Sequence, residues 1–326
     1  MEKVLVTGAF GNVGMSTVTS LLDQGFPITI LDCPTRANYR AARKLENTIK
    51  QKSYSGFTLL WSDIRDYDAV SRAVSGCTSV IHLAAIIPPL ADRFPELAYA
   101  VNVDGTRNVI RACEQAGITL IYASSIALYG DRLANPSIHV DDPVQPAPGD
   151  TYGFQKAEAE YLVRQSSCPW TILRLSYVVS RKKLALDPIM FRMPLTTCIE
   201  IVHTEDAGRA FAHAVTAGDS RRRTYNIGGG DRCRTTYRDY LTSMLTLFGL
   251  GKKLRLPERA FARQGYHCGW LDSEQAEQVL HFQKKTLADY YVEVAEEARR
   301  ASVFAAMVPR IILRMIMSRS PYVRSY

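Results

Sequence analysis

The feature that most limits the fold is a unit that repeats through the first half of the chain: a short run of Val, Ile and Leu, a turn, and an amphipathic segment. The apolar runs are predicted strands, at residues 3–7, 28–31, 57–61, 79–83 and 119–123. Helical segments such as 13–22 and 97–116 lie between them. Because continuous apolar strands that alternate with helices form a parallel sheet covered on both faces, the pattern predicts an α/β fold with a doubly wound parallel sheet.

The second half is less regular and predicts an interleaved second unit. A Pro-rich loop over residues 135–149 precedes a predicted helix over about 152–165 and a strand over 171–175. We expect residues 1–175 to form the main unit, and apolar segments near 200–203 and 224–227 to complete its sheet. The remaining stretches are expected to form a smaller cap over 176–199 and 228–296, followed by a tail over 297–326.

The net charge of +8 is concentrated at the C-terminus. Residues 299–326 hold six Arg and no Asp, Glu or Lys, so they carry +6 and the rest of the chain carries +2. A basic groove across the body is not indicated, and we expect no nucleic-acid partner.

The seven cysteines are an odd number and include no CxxC pair. Neither a disulfide framework nor a zinc site is expected, and no other metal site is indicated. The first residues lack the long apolar run of a signal peptide. Cytoplasmic residence is the expectation that follows.

A glycine-rich turn follows the first predicted strand directly and opens a helix. Gly8 permits a tight turn, Gly11 lets the backbone approach a pyrophosphate, and Gly14 allows the helix to pack closely on the strand. The start of the helix would supply amide donors to the phosphates. The alternative is an ordinary tight turn. The residues expected to contact a dinucleotide here are Gly8, Phe10, Gly11, Asn12, Val13 and Gly14.

Asp32 ends the second predicted strand, where a carboxylate accepts hydrogen bonds from both ribose hydroxyls of NAD and repels the extra phosphate of NADP. The sequence therefore favours NAD. Arg36 and Arg40 could bind a phosphate if Asp32 turned away, or they could be part of a solvated helix face.

Tyr152 and Lys156 stand four residues apart, on one face of a predicted helix. A Tyr, with a pKa of about 10, is a poor base until a nearby cation favours its phenolate, and Lys156 can supply that charge. The alternative is two solvated neighbours on a helix.

These motifs occur in the order TGxxGxxG, a terminal acid, Ser124 and Ser125 after the fifth strand, and YxxxK. The combination resembles the extended short-chain dehydrogenase/reductase family, also called the NAD-dependent epimerase/dehydratase family, over residues 1 to about 295. The resemblance implies a Rossmann core that binds NAD, a substrate-binding cap, and hydride transfer between an alcohol or ketone and the nicotinamide.

Site residues follow from the resemblance. It makes Tyr152 the acid/base, Lys156 its partner at the phenolate and the ribose, and Ser125 the holder of the substrate oxygen. The further cofactor residues it implies are Asp63, Ile64, Leu83, Ala84, Ala85 and Asn102. Asn102 could instead be a polar cap within a helix, and His82 is expected to pack beneath the cleft rather than to catalyse. The substrate residues it implies are Ser124, Ile86 and Tyr177.

The substrate prediction depends on departures from the sugar-nucleotide enzymes of the family. Tyr177 stands where those enzymes usually have a substrate-holding Asn, and Ile199 where they commonly have an Arg for the nucleotide phosphate. The stretch from Leu173 resembles 3β-hydroxysteroid-dehydrogenase-like members, and the apolar loop over residues 86–90 suits a weakly charged organic substrate. The acidic pair of the dehydratases is replaced by Ile126 and Ala127. Alternatives are a nucleotide-sugar epimerase and a dinucleotide-binding protein without catalysis.

The tail is apolar over residues 303–317 but contains Pro309, Arg310 and Arg314. It is too short and too charged to span a bilayer. It could lie as a basic amphipathic helix on an anionic membrane, or pack on its own body or on a dimer partner. The segments 94–116 and 152–166 resemble the helices through which such enzymes dimerise, so we expect a homodimer.

Overall fold

A computed structural model describes residues 2–52, 54, 57–180, 188–250 and 256–323. Residues 181–187 and 251–255 of the predicted cap, and Arg324 of the tail, lie outside this range. The strands are β1 Val4–Thr7, β2 Ile28–Asp32, β3 Phe57–Trp61, β4 Ser79–His82, β5 Thr119–Ser125, β6 Ser137–Ile138, β7 Trp170–Leu175, β8 Tyr177–Val179, β9 Cys198–His203, β10 Arg223–Ile227, β11 Arg234–Thr236 and β12 Trp270–Leu271.

The helices are α1 Asn12–Asp23, α2 Arg36–Lys52, α3 Tyr67–Val74, α4 Leu90–Arg93, α5 Pro95–Tyr99, α6 Thr106–Ala116, α7 Thr151–Gln165, α8 Thr204–Thr216, α9 Tyr237–Leu247, α10 Glu274–Leu280, α11 Leu287–Met307 and α12 Pro309–Met317. The stretch predicted as one helix over 97–116 is divided between α5, a π-helical segment at Ala100–Gly105, and α6.

The main sheet has seven parallel strands in the order β10-β7-β5-β4-β1-β2-β3. Side chains of β1 alternate between its two faces, with Val4 and Val6 in the cluster that includes α1 and α8, and Leu5 in the cluster that includes α3, α6 and α7. The predicted doubly wound parallel sheet is confirmed. Strand β1 lies between β2 and β4, because the chain builds β2 and β3 on one side of β1 and then crosses to β4 on the other. Ligands bind at the carboxyl ends of strands at such a reversal of direction.

One predicted strand joins a different sheet. Strand β10 pairs with β7 as expected, but β9 pairs with β8 and β11 in a separate three-stranded sheet, so the expected return of residues 200–203 to the main sheet is wrong. The segment is as apolar as a central strand because both faces of this small sheet are covered. Ile199 and Ile201 pack in the cap core, and Val202 packs in the core of the main unit.

The tail is continuous with the cap. Helix α11 begins at Leu287, so the boundary predicted at residue 296 falls inside a helix. Ile316 of α12 is buried in the same cluster as Tyr290 and Tyr240, and the Ser320 hydroxyl donates a hydrogen bond to the Ala260 carbonyl at 2.7 Å. No helix within the described ranges has the length and apolarity needed to cross a bilayer.

Candidate active site

The glycine turn is a tightly packed cradle at the carboxyl end of β1. Gly8 has a φ of +69°, and a Cβ there would lie 2.6 Å from the Ala84 amide nitrogen. A Cβ on Gly14 would lie 2.2 Å from the Gly8 carbonyl oxygen. Gly11 is the N-cap residue of α1. Because glycine has no side chain that could cap the helix, the first amides of α1 stay available to an anion.

Asp32 faces this turn from the end of β2. Its Oδ2 accepts a hydrogen bond from the Phe10 amide at 2.9 Å, and its Oδ1 accepts bonds from the Cys33 amide at 2.8 Å and the Asn38 side chain at 3.0 Å. Burial raises the pKa of Asp32, and the two backbone hydrogen bonds oppose that shift. Arg36 and Arg40 are exposed on α2 and do not line the cleft beside Asp32.

A cleft of about 410 Å³ opens at this edge of the sheet. The predicted cofactor or substrate residues that line it are Gly8, Phe10, Gly11, Asp32, Asp63, Ile64, Leu83, Ala84, Ala85 and Ile86. Its wall also contains residues to which the sequence analysis assigned no role: Leu31, Cys33, Asn38, Ser62, Arg65, Leu97 and Val101. Several of these directly follow a strand or adjoin a predicted residue, which is the signal that could have found them.

Asp63 and Arg65 form an ion pair at the rim of the cleft. Arg65 donates from Nη2 to Asp63 Oδ2 at 2.9 Å and from Nε to Oδ1 at 3.0 Å. Burial raises the pKa of Asp63, but the hydrogen bonds and charge of Arg65 outweigh it, so the pKa is below its usual value. The pair fixes the orientation of the Asp63 carboxylate.

Tyr152 and Ser125 meet where β5 ends and α7 begins. The Asp150 side chain caps α7 by accepting a hydrogen bond from the Gly153 amide at 2.9 Å, which places Tyr152 in the first turn. Burial raises the pKa of the Tyr152 phenol; a hydrogen bond with Ser125 lowers it, and the Asp150 charge raises it. A group that favours the phenolate is therefore needed before Tyr152 can act as a base.

Lys156 lies one turn further along α7 and is 4% exposed. Its Nζ donates hydrogen bonds to the Ala123 carbonyl at 2.8 Å and the Tyr122 hydroxyl at 3.3 Å, and it lies 6.0 Å from the centre of the Tyr152 ring. Burial lowers the pKa of Lys156 to about 7, and the charge of Glu160 opposes that shift. The ammonium is therefore held beside the phenol, with a pKa near neutral pH.

His82 is packed beneath the cleft, as expected. Its ring nitrogens lie 2.7 Å from Thr7 Oγ1 and 3.0 Å from Thr106 Oγ1. Burial, followed by the charge of Lys156, lowers the pKa of His82 to about 3, so the ring is neutral at physiological pH.

Asn102 does not line the cleft, although it was predicted to contact the cofactor. It lies in the π-helical segment, where its Oδ1 accepts from the Ile86 amide and its Nδ2 donates to the Ile86 carbonyl, both at 2.8 Å. Nδ2 also donates to Gln155 Oε1 at 2.8 Å. Asn102 therefore holds the backbone of the loop after β4, and through it positions Ile86 in the cleft wall.

Ser124 was predicted to contact the substrate, but its hydroxyl is buried and is bonded within the protein core. Successive strand residues point to opposite faces, and its buried hydroxyl donates to Glu160 Oε2 at 2.8 Å. Glu160 in turn accepts from Arg174, at 2.5 Å from Nη2 to Oε1 and 3.1 Å from Nε to Oε2. Arg174 also donates to the Tyr129 hydroxyl at 2.6 Å. This buried ion-pair network below the site was not predicted.

Tyr177 and Ile199 lie in the cap. Tyr177 is half-buried and its ring centre lies 6.0 Å from that of Tyr240. Ile199 is fully buried in the cap core. Ile199 therefore packs in the core of the cap, while Tyr177 stays a predicted substrate residue.

Five further residues predicted to contact the cofactor do not line the cleft of 410 Å³: Asn12, Val13, Gly14, Tyr152 and Lys156. Asn12, Val13 and Gly14 form the first turn of α1 behind it, and Tyr152 and Lys156 lie on α7. Their assignments to the cofactor stay predictions.

Comparison with known proteins agrees with this geometry. The sequence profile of the NAD dependent epimerase/dehydratase family matches residues 4–228, more than half of the chain. The chain belongs to this family. The predicted NAD-dependent enzyme class is thereby confirmed, at the level of a family that contains dehydrogenases, epimerases and dehydratases.

Curated relatives in this family fall into two groups. A 3 beta-hydroxysteroid dehydrogenase/Delta 5-->4-isomerase of Mycobacterium tuberculosis is 34% identical over 142 residues, which are 41% of this chain and 35% of the relative. A UDP-glucose 4-epimerase of Neisseria meningitidis serogroup B is 31% identical over 191 residues, 54% of this chain and 52% of the relative. The match thus spans between about a third and a half of the length of these relatives.

Solved structures show the same fold over nearly the whole chain. The dTDP-glucose 4,6-dehydratase DesIV from Streptomyces venezuelae, with NAD and TYD bound, has a TM-score of 0.75 at 21% identity and covers 93% of this chain and 98% of its own. A short-chain dehydrogenase/reductase superfamily protein from Agrobacterium tumefaciens, with bound NAD, has a TM-score of 0.74 at 21% identity and covers 94% and 99%.

Proposed function

We propose that this protein is an NAD-dependent oxidoreductase that moves a hydride between a secondary alcohol or ketone and the nicotinamide. The observation that carries the proposal is the arrangement of Ser125, Tyr152 and Lys156. The Ser125 side chain lies close enough to the Tyr152 phenol to lower its pKa, and the ammonium of Lys156 lies 6.0 Å from the Tyr152 ring centre. All three stand at the carboxyl edge of the sheet, next to the strand whose following loop lines the cleft.

The residues of the cleft fit NAD. The glycine cradle has no room for a Cβ at Gly8 or Gly14, so only backbone meets a pyrophosphate there. The Asp32 carboxylate stands beside this cradle in the cleft wall, where it would accept hydrogen bonds from the adenosine ribose and disfavour the phosphate of NADP. Bound NAD supplies the hydride acceptor, which no side chain of the protein can provide.

In this proposal Tyr152 takes the alcohol proton and Ser125 holds the substrate oxygen. Burial disfavours the phenolate, and the cationic form of Lys156 would favour it, because an opposite charge within about 6 Å stabilises the ionised form. The Ala123 carbonyl and the Tyr122 hydroxyl hold Lys156 in place. In the reverse direction Tyr152 returns its proton to the forming alkoxide.

A weakly charged organic substrate is the class we propose. Beside Ile86, the loop after β4 and the start of α4 expose Ile87 and Leu90, by 50% and 56%, and neither side chain carries a charge that would bind a nucleotide diphosphate. Exposed apolar side chains beside a cleft suit an apolar ligand. The similarity to a 3 beta-hydroxysteroid dehydrogenase supports the same class.

The second candidate is a nucleotide-sugar epimerase, in which a transient oxidation is reversed within the site. It is favoured by the match to a UDP-glucose 4-epimerase, which covers more of this chain than the steroid dehydrogenase match does. The structure of MoeE5 in complex with UDP-glucose and NAD, at 24% identity, has the same fold.

The proposal is tested by following NADH absorbance after adding NAD⁺ with hydroxysteroids, other cyclic secondary alcohols, or UDP- and dTDP-sugars. A dehydrogenase accumulates NADH with an alcohol, and Tyr152→Phe abolishes the signal. Conversion of a sugar nucleotide without net NADH establishes the epimerase instead. A protein without catalysis binds NAD and converts nothing in either assay.

We further propose a homodimer formed through α5 and α7. Leu97, Phe154 and Tyr161 on these helices are 42%, 52% and 61% exposed, and an interface through α5 and α7 would bury them. A cytoplasmic location is supported by the cysteines, all seven of which are free thiols.

A further inference from the structure

The C-terminal helices α11 and α12 have one buried side and one apolar exposed side. On α12, Ile316 is 1% exposed, and Ile312 and Leu313 pack beside it on the cap core. The opposite side of the two helices, here called the tail face, exposes large apolar residues that belong to none of the described core clusters. They are Val303, Met307, Ile311 and Met315, exposed by 66%, 67%, 65% and 51%.

Arginines border these apolar residues. Arg310 and Arg314 are exposed one helical turn apart on α12, and each directly precedes an apolar residue of the tail face. Arg299 is exposed on α11, before the apolar residues of the tail face. No Asp or Glu occurs in the sequence after Glu297. Residues 298–326 therefore contain no acidic side chain that offsets the charge of their arginines.

We propose that the tail face docks on an anionic membrane surface, with its apolar side chains among the lipid headgroups and its arginines on the phosphates. A helix with an apolar side bordered by arginines has this preference, because apolar burial and attraction to anionic lipid add together. Packing on the cap core, by Val294 and Ala305 of α11 and Ile316 of α12, holds both helices against the body and leaves the tail face exposed.

Charge distinguishes this occupant from a second copy of the chain. In a two-fold pairing with antiparallel α12 helices, the arginines of one protomer lie along those of the other, and like charges at an interface oppose association. Crossing the bilayer is not an option for the described helices, since none is long and apolar enough.

The experiment is sedimentation of the full-length protein with vesicles of phosphatidylcholine containing 30% phosphatidylserine, compared with phosphatidylcholine alone. Binding is expected only to the anionic vesicles and is expected to weaken with salt. In Arg310→Gln/Arg314→Gln, the loss of two charges near the surface lowers the partition coefficient about 30-fold. The apolar variant Ile311→Ser/Met315→Ser loses binding as well.

Two control variants separate the tail face from general charge and apolarity. Arg43→Gln/Arg223→Gln removes the same charge from exposed positions elsewhere, and Val292→Ser removes an apolar side chain that is 61% exposed near the start of α11. Both are expected to bind like the wild type. Circular dichroism and thermal unfolding confirm that every variant is folded.

Three results overturn the proposal. Equal binding to neutral and anionic vesicles removes the role of charge, and equal loss in the control variants removes the role of the tail face. Absence of vesicle binding, with a change from dimer to monomer in Ile311→Ser/Met315→Ser, assigns the surface to a second copy. Because no substrate is needed, the result is independent of the proposed hydride transfer.

Discussion

Arg174→Met is expected to destabilise the protein by about 3–5 kcal/mol, because it leaves a buried carboxylate without its main partner. Arg174 and Glu160 are 2% and 3% exposed at their side chains and are joined by two hydrogen bonds. Burial raises the pKa of Glu160, and the bonds and charge of Arg174 outweigh it and lower the pKa below its usual value. After the substitution, Ser124 and the partly exposed Arg164 are the remaining contacts of Glu160.

The assay is unfolding by denaturant, supported by thermal unfolding. For 326 residues the unfolding entropy is about 0.7 kcal/mol/K, so the expected loss corresponds to a Tm lower by about 4–7 °C. In the double variant Glu160→Leu/Arg174→Met both charges are gone, and we expect it to be more stable than the sum of the single changes by about 2 kcal/mol or more.

Arg164→Met is the matched control. It removes another arginine from the same carboxylate, at 2.9 Å, but Arg164 is 38% exposed and its loss is expected to cost about 1 kcal/mol or less. Equal costs for Arg164→Met and Arg174→Met, or a purely additive double variant, would refute the reasoning that burial makes this pair structural.

Three further predictions concern the cofactor, the lysine and the dimer. Asp32→Ser is expected to weaken NAD binding at least tenfold and to abolish the preference for NAD over NADP, since charged hydrogen bonds contribute about 1.5–3 kcal/mol each; calorimetric titration with both nucleotides checks this, and an unchanged preference contradicts it. Burial lowers the pKa of Lys156 to about 7, so between pH 7 and pH 9 the unfolded chain binds more protons and stability rises with pH. Between pH 7 and pH 9 the free energy of unfolding of Lys156→Met, measured with denaturant, is expected to rise by about 2 kcal/mol less than that of the wild type. An equal rise in the two proteins would disprove the lowered pKa of Lys156. Phe154→Glu/Tyr161→Glu is expected to halve the mass seen by light scattering, and an unchanged dimer mass rules out the α7 interface.

The strands of the main sheet could be predicted from the sequence because each strand is marked by a local apolar pattern. Continuous apolar runs bounded by turns, such as residues 57–61, coincide with β3 and its neighbours. Strand β9 was assigned to the wrong sheet for the same reason. Its apolar run has the composition of a central strand, and its partners are fixed by the distant segments β8 and β11, which no local pattern reveals.

Motif positions predicted the neighbourhood of the site but not the direction of each side chain. Ser124 and Ser125 are adjacent, and the strand alternation sends one to Glu160 and the other to Tyr152. The motif that contains Asn102 predicts a contact with the cofactor. In the structure, the side-chain amide of Asn102 lies in the π-helical segment and bonds the Ile86 backbone. Long-range pairs such as Glu160 with Arg174 have no spacing signature and could be found only from the three-dimensional structure.

The most direct test of the proposed hydride transfer uses an alcohol deuterated at its carbinol carbon, chosen as the compound that gives the most NADH in the absorbance assay. Mass spectrometry of the recovered dinucleotide is predicted to find deuterium on the nicotinamide with the wild type and none with Tyr152→Phe. Recovery of unlabelled dinucleotide from the wild type, or equal labelling by Tyr152→Phe, would contradict a hydride transfer that depends on the Ser125, Tyr152 and Lys156 site.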